Sequence, residues 1–211
     1  MKFHLKKIYW LSLCFVAFSL NGCIEPVETP VITSIPPSVS IAPVIRPQVS
    51  TSPYPYDWTP PSLLERSWTA IVVHHSATAY GSMAIFDKWH KEGNGWEGVG
   101  YDFVIGNGTY SGDGQVEVTF RWRQQRTGAH AGGTPGNWAN EKGVGICLVG
   151  DFNRTIPTAK QMQSLAKLVK FIQARYKIPA SRIYGHGTVP GGHQTDCPGK
   201  YFSMSRLKAM L

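Results

Sequence analysis

From residue 63 onwards, the apolar residues follow the spacings of buried strands and amphipathic helices. The β-branched run Trp68–His74 contains no helix breaker and predicts a buried strand. The continuous apolar run Val144–Val149 predicts a central strand that is covered on both faces. Three shorter strands are predicted at residues 100–105, 115–120 and 182–184. A glycine- and asparagine-rich stretch, residues 127–142, predicts a long loop.

Three segments carry the apolar spacing and the end signals of helices. A helix capped by Ser82 is predicted over residues 83–91, where Gly93 and Gly95 would stop it. The clearest helix follows the capping box Thr158-x-x-Gln161, and its apolar residues lie on one face. A short closing helix is predicted over residues 204–211. These elements predict an α/β fold with a mixed central β-sheet of about five or six strands flanked by about three helices.

The first 22 residues have the pattern of a secretion signal. An apolar run of 13 residues, Ile8 to Leu20, follows a lysine-bearing start. It is shorter than the roughly 20 residues that a membrane-spanning helix needs. The run ends in Leu20-Asn21-Gly22-Cys23, which resembles the lipobox of bacterial lipoprotein precursors. The resemblance implies cleavage before Cys23 and acylation of its sulfur and its new amino group.

An ordinary secretion signal, cleaved nearby, is the alternative interpretation of this segment. If Cys23 is acylated, Ile24 bears on the destination of the protein. An aspartate at that position is the usual inner-membrane retention signal in enteric bacteria. Its absence favours a lipid anchor in the outer membrane, with the protein facing the periplasm.

Residues 24–62 have the composition of a tether. They contain ten of the fifteen prolines of the chain and no glycine. Proline without helical periodicity favours extended, polyproline-like chain, which could reach on the order of 100 Å at about 3.1 Å per residue. The sequence thus predicts a signal peptide at 1–22, an acylated cysteine and tether at 23–62, and one folded domain at 63–211.

Composition and charge narrow the class of partner. The chain of 211 residues is 42% hydrophobic, enough for a core, and its formal net charge is +8. Without residues 1–22, which hold three lysines and no acid, 18 basic and 13 acidic residues leave +5. This balance favours polyanions such as anionic lipid or a carboxylate-rich cell wall. No dense run of Lys and Arg is present, which disfavours specific nucleic-acid binding.

Candidate metal ligands occur in two distant parts of the domain. His186 is followed eleven residues later by Cys197, and the pair His74-His75 ends the first predicted strand. Two histidines and one thiolate form a plausible three-ligand zinc set, which leaves the fourth tetrahedral position open for water. A disulfide between Cys147 and Cys197 is an alternative, since an envelope compartment permits one.

Five segments of the domain occur in an order that is known from one family. They are Val73–Thr78, Gly95–Ile105, Gly128–Gly132, Val144–Gly150 and Gly185–Gly199. Together, over residues 66–203, they resemble the zinc-dependent N-acetylmuramoyl-L-alanine amidases, which include phage amidase-lysozymes and animal peptidoglycan recognition proteins. The resemblance implies hydrolysis of the amide that joins N-acetylmuramic acid to the L-alanine of the stem peptide.

The resemblance also implies the zinc ligands, which match His74, His186 and Cys197. His75 follows His74 directly and is expected to face the opposite side of the strand. Tyr101 matches the catalytic tyrosine of the family, whose phenol can move or hold a proton.

Three further positions match the family's active-site loops. Thr195 stands where phage enzymes have lysine and recognition proteins have threonine, and it could donate a hydrogen bond to an oxyanion. His130 and Asn140 match loop positions that contact substrate. Some branches carry a catalytic glutamate at the position of Cys147, and this chain lacks it.

Two other functions remain open at this stage. One is a peptidoglycan-binding lipoprotein without catalysis, since family members that lack the cysteine or the tyrosine can bind without cutting. The other is a structural envelope lipoprotein, which would make the histidine–cysteine set accidental. The sequence favours the enzyme because all three ligand candidates and Tyr101 are present. It leaves open whether the substrate is intact wall or an anhydro-muropeptide, and it leaves the oligomeric state open.

Overall fold

A computed structural model describes residues 52–211, so Cys23 and the predicted signal peptide lie outside the described residues. Within this range a mixed sheet of five strands forms the centre of the fold, in the order β3-β2-β4-β1-β5. The strands are Ala70–His75 (β1), Phe103–Ile105 (β2), Val116–Val118 (β3), Gly143–Leu148 (β4) and Ile183–Gly185 (β5). Only β3 is antiparallel to its neighbour. The predicted fold class is confirmed.

Five α-helices surround this sheet in residues 52–211. They are Met83–Asn94 (α1), Phe120–Arg123 (α2), Trp138–Lys142 (α3), Ala159–Tyr176 (α4) and Met204–Ala209 (α5). The prediction of about three helices missed α2 and α3. The third predicted strand stops early because its last residue, Phe120, already begins α2, and α3 lies inside the stretch predicted as a loop. None of the helices in residues 52–211 combines the length and apolar character that a membrane span requires.

The two faces of the sheet carry different apolar clusters, as the alternation of side chains along a strand requires. Ile71 and Val73 of β1 belong to the large core that also contains the apolar face of α4. Val104 and Cys147 lie on the opposite face and pack with Phe86 of α1. His74 is placed on the α1 side of the sheet, since it is one residue beyond Val73.

The helix ends show which local signals were interpreted correctly. The capping box of α4 is confirmed, because Gln161 N donates to Thr158 Oγ1 at 3.0 Å and Thr158 N donates to Gln161 Oε1 at 3.1 Å. Gly93 does not stop α1, which runs on to Asn94. The stop comes at Gly95, whose φ of 65° lies in the left-handed region that favours glycine.

The proline-rich segment joins the domain earlier than the sequence predicts. Trp58 is only 3% exposed and belongs to the large core. Its ring contacts Phe171 of α4 with a centroid distance of 5.7 Å, and its carbonyl accepts the indole N–H of Trp122 at 2.8 Å. Tyr54 packs on the same Phe171 at 5.1 Å. We therefore propose that residues 54–62, which the sequence assigns to the tether, belong to the folded domain, because Trp58 lies in the core and Tyr54 packs against it.

Replacing Trp58 by alanine should lower the free energy of unfolding by about 3–5 kcal/mol, the usual cost of deleting a buried large aromatic side chain. Urea denaturation of residues 52–211 measures this. Tyr56→Ala is the matched control, because Tyr56 is 85% exposed two residues away and its loss should change the stability by less than about 0.5 kcal/mol. Equal stability of the Trp58→Ala variant and the parent would restore the original boundary at residue 63.

Candidate active site

Three potential metal ligands meet at the carboxyl edge of the parallel strands. Val73 of β1 pairs with Gly185 of β5, so the residues that follow, His74 and His186, lie side by side with ring centroids 4.5 Å apart. The Sγ atom of Cys197 lies 3.7 Å from His74 Nδ1. One ligand atom of each of the three residues falls within 4.8 Å of the others. The structure thus brings together the ligand set that the sequence proposes.

Backbone hydrogen bonds hold Cys197 in this position. The amide of Gly187, just after His186, donates to the Cys197 carbonyl at 2.6 Å. The amide of His75 donates to Cys197 Sγ at 3.4 Å. The side chain of His75 points away from the ligand set, as predicted, and its Nδ1 accepts the amide N–H of Phe152 at 3.0 Å. The sulfur is therefore fixed against the end of β1.

Burial controls the charge of the ligand set. It lowers the pKa of His74 well below the usual value, and the nearby His130 and His186 add to this effect. Burial also lowers the pKa of His186. Both imidazoles are neutral near pH 7 and offer lone pairs to a cation. Burial raises the pKa of the Cys197 thiol to about 12, and a cation beside Sγ would act in the opposite direction by stabilising the thiolate.

Tyr101 stands next to this ligand set. Its ring centroid lies 5.2 Å from that of His74, and it packs against the apolar cluster that contains Cys147. Burial raises the pKa of Tyr101 well above its usual value, with Cys147 and Cys197 as smaller causes, so the phenol keeps its proton.

Cys147 and Cys197 are both free, which overturns the alternative of a disulfide between them.

His130 and Asn140, which the sequence places among the substrate-contacting positions, are both largely buried. Each is only 7% exposed. His130 Nδ1 lies 3.1 Å from His74 Nε2, on the side of that ring remote from Cys197. The Asn140 side chain accepts the amides of His130 and Ala131 and donates to the Ala131 carbonyl. The loop that carries both residues folds inwards. His130 therefore contacts His74, and Asn140 holds the backbone of His130 and Ala131.

Comparison with known proteins decides the family. The sequence profile described as N-acetylmuramoyl-L-alanine amidase matches residues 64–200, which is more than half of the chain. The chain belongs to the N-acetylmuramoyl-L-alanine amidase family. The predicted resemblance to this family is therefore confirmed.

Individual relatives of this amidase-family domain come from insects and mammals. Peptidoglycan-recognition protein SC2 of Drosophila melanogaster is 33% identical over 137 residues, which cover 61% of this chain and 66% of the fly protein. The human N-acetylmuramoyl-L-alanine amidase is 25% identical over 169 residues, which cover 74% of this chain and 27% of the human protein. The chain thus spans just under two thirds of the first relative and about a quarter of the second.

Solved structures share the fold of the amidase-family domain. The N-acetylmuramoyl-L-alanine amidase LysC from Clostridium intestinale is 31% identical with a TM-score of 0.57, over 68% of this chain and 84% of LysC. A point mutant of Drosophila PGRP-LB in complex with tracheal cytotoxin is 25% identical with a TM-score of 0.50, over 68% of this chain and 84% of the other. The family match thus extends to the three-dimensional arrangement of the domain.

The rim of the amidase-family site carries Thr195 and His193. Thr195 is exposed, and its Oγ1 accepts the amide of Cys197 at 3.2 Å. Among residues 52–211 its hydroxyl proton has no acceptor, and the residue lines a pocket with Gly187, Gln194 and Asp196. His193, which the sequence left without a role, is exposed, and its amide donates to the Gly132 carbonyl at 3.1 Å.

Sequence reasoning missed two polar residues that shape the amidase-family site. His90 of α1 accepts the Gly100 amide through Nδ1 at 3.0 Å, and its ring lies 5.7 Å from that of Tyr101. Asp102 is fully buried, and burial raises its pKa to about 7. An acid inside the apolar stretch Tyr101–Ile105 was the available signal, since a carboxylate is placed there only when it has a local partner.

Proposed function

We propose that this protein is a zinc-dependent N-acetylmuramoyl-L-alanine amidase of peptidoglycan. It would hydrolyse the amide between the lactyl group of N-acetylmuramic acid and the L-alanine of the stem peptide. The observation that carries the proposal is the convergence of His74 Nδ1, His186 and Cys197 Sγ beside the Tyr101 phenol, in a chain of this family. Two nitrogen donors and one sulfur donor suit Zn²⁺ and leave one tetrahedral position open.

The residues around the cleft have separate roles in this proposal. His74, His186 and Cys197 would hold the zinc ion, which would supply Lewis-acid chemistry by polarising a carbonyl and lowering the pKa of water towards about 7. Tyr101 keeps its proton and donates a hydrogen bond to the oxygen that gains negative charge. Thr195 would offer a second donor, because its Oγ1 accepts the Cys197 amide and its hydroxyl has no protein acceptor in residues 52–211.

A peptidoglycan-binding protein without catalysis is the second candidate. Its support is that several relatives carry the name peptidoglycan-recognition protein and that PGRP-LB was solved with tracheal cytotoxin. The enzyme is favoured, because a binding protein needs neither three converging ligand atoms nor a buried phenol beside them.

Defined muropeptides test the two candidates directly. The zinc-loaded protein should convert a soluble disaccharide-peptide into a lactyl-bearing sugar and a peptide with a free N-terminal alanine, which mass spectrometry identifies. Anhydro and reduced forms of the same muropeptide, together with intact wall, would define the substrate. A muropeptide that is bound but recovered intact, with zinc present, would favour the binding protein.

We also propose that the protein is anchored by lipid at Cys23 in the bacterial envelope, in the outer membrane and facing the periplasm. The support is the sequence Leu20-Asn21-Gly22-Cys23 at the end of the apolar leader, followed by Ile24. Two or more acyl chains hold a protein stably on a membrane, whereas one gives marginal binding.

The Cys23→Ala variant should lose fatty-acid labelling in cells and leave the membrane fraction or remain as an uncleaved precursor. Radiolabelled palmitate followed by membrane fractionation measures both effects. Cys14→Ala is the matched control, because Cys14 lies within the apolar leader and its replacement should leave labelling intact. Labelling of Cys23→Ala at the parental level would contradict the anchor.

A further inference from the structure

His130 lies directly behind the ligand His74 and contacts only one of its two ring nitrogens. His74 Nε2 is 3.1 Å from His130 Nδ1, whereas His74 Nδ1 is 3.7 Å from Cys197 Sγ. The two ring nitrogens of His74 therefore face different partners. Only Nδ1 is directed at the ligand set.

The direction of the hydrogen bond follows from this geometry. A neutral imidazole carries one proton, so a His74 ring that offers the Nδ1 lone pair to a cation must hold its proton on Nε2. His130 Nδ1 then has to accept a hydrogen bond from the Nε2–H group of His74. The single proton of a neutral His130 therefore lies on Nε2, which is 3.2 Å from the carbonyl oxygen of Gly143. The two hydrogen bonds run in one direction and end on a backbone carbonyl that can only accept.

The ring of His130 is held in a slot between two stretches of backbone. A Cβ atom on Gly145 would lie 2.4 Å from His130 Cδ2, and one on Gly128 would lie 2.6 Å from the same atom. Any side chain at either position would displace the ring. The imidazole therefore has little freedom to turn away from His74.

Two side chains fix the backbone that forms this slot. Asn140 Oδ1 accepts the His130 amide at 2.8 Å and the Ala131 amide at 2.9 Å. Asp102 Oδ2 accepts the Gly145 amide at 2.8 Å, while the Asp102 amide donates to the Gly145 carbonyl at 2.9 Å. The loop on one side of the ring and the strand on the other are thus both held by buried polar groups.

We propose that His130 is a positioning residue that fixes the tautomer and orientation of His74, so that Nδ1 rather than Nε2 faces the metal. The inference rests on the proposed zinc site. A hydrogen-bond acceptor behind a metal-ligating histidine makes the ligand more basic and holds its ring. His130 is only 7% exposed and its Nδ1 lies 3.1 Å from His74 Nε2, so the role proposed here is exercised through His74.

Two amide substitutions separate this role from simple packing. In His130→Asn the side-chain oxygen can take the place of Nδ1 and accept from His74. In His130→Gln the amide nitrogen reaches the place of Nε2 and can donate to Gly143, but the acceptor for His74 is lost. Zinc dissociation constants, measured by chelator competition, should rise about 10–100-fold for His130→Gln and stay within about threefold of the parent for His130→Asn.

The outcomes distinguish this inference from the proposed function. Equal zinc affinity of His130→Gln and the parent, or equal weakening in both variants, would overturn the positioning role while the zinc site stands. A parent protein that binds no zinc would overturn both. If a variant does not fold, the zinc-loaded parent answers the question by NMR. A scalar coupling across the hydrogen bond from His74 Nε2–H to His130 Nδ1 is expected, and a proton on His130 Nδ1 would overturn the proposal.

Discussion

The Cys197→Ser variant should lose bound zinc and amide hydrolysis together. The sulfur supplies one of three ligand atoms, and a serine hydroxyl is a far weaker ligand for zinc than a thiolate. Zinc lowers the pKa of water from about 15.7 to about 7, so we expect activity to fall on the order of 10³-fold or more. Elemental analysis of the purified protein gives the metal content, and release of free peptide from a soluble muropeptide gives the rate.

Cys147→Ala is the matched control for the loss of metal. Cys147 is also a free, buried thiol on the same side of the sheet, but it packs in the apolar cluster with Val104 and is not one of the converging ligand atoms. This variant should retain about one zinc per chain. Full muropeptide cleavage by metal-free Cys197→Ser would rule out the zinc mechanism.

The Tyr101→Phe variant should keep its zinc and its fold while kcat falls about 10²-fold, the scale typical of one proton-transfer or oxyanion donor. The substitution removes only the hydroxyl, and the ring keeps its contacts with His74 and His90. KM should change little, because a donor that acts on developing charge contributes mainly to the transition state. Steady-state kinetics on one muropeptide separates the two constants.

Tyr184→Phe provides the control for loss of a hydroxyl near the site. Tyr184 lies in β5, two residues before His186, and its ring packs against Trp138, 6.1 Å between centroids. Its kcat should stay within about twofold of the parent, since only the hydroxyl is removed and the half-buried ring keeps its packing on the cluster of Val72 and Val189. An unchanged kcat in Tyr101→Phe would reduce that tyrosine to a packing role.

The regular elements could be predicted because their signals are local. The run Val144–Val149 has no polar residue and became the central strand β4 almost within its predicted limits. The capping box at Thr158 fixed the start of α4. Bringing His74 next to Cys197, 123 positions later, depends on strand order. The residue types suggested a zinc set, and the family resemblance was needed to choose His74 rather than His75 as its member.

The remaining features depend on tertiary contacts that no local pattern encodes. Proline spacing in residues 52–62 gives no sign that Trp58 inserts between Phe171 and Trp122. The loop before β4 carries polar residues, and composition alone suggests that they face solvent. His130 and Asn140 instead turn inwards, because each can satisfy buried polar groups there.

The early docking of the N-terminal segment has a mechanical consequence. If the chain is held at a membrane while the domain grips an insoluble polymer, tension enters through residues 52–58. The force would act first on the aromatic contacts of Tyr54 and Trp58 with Phe171. It would act next on the ion pair between Glu65 and Arg175, in which Oε2 and Nη2 are 2.7 Å apart. Both contacts lie on α4, on the side of the sheet opposite to His74. Under such tension these contacts would have to break before the force reached β1, which would protect the ligand set from it.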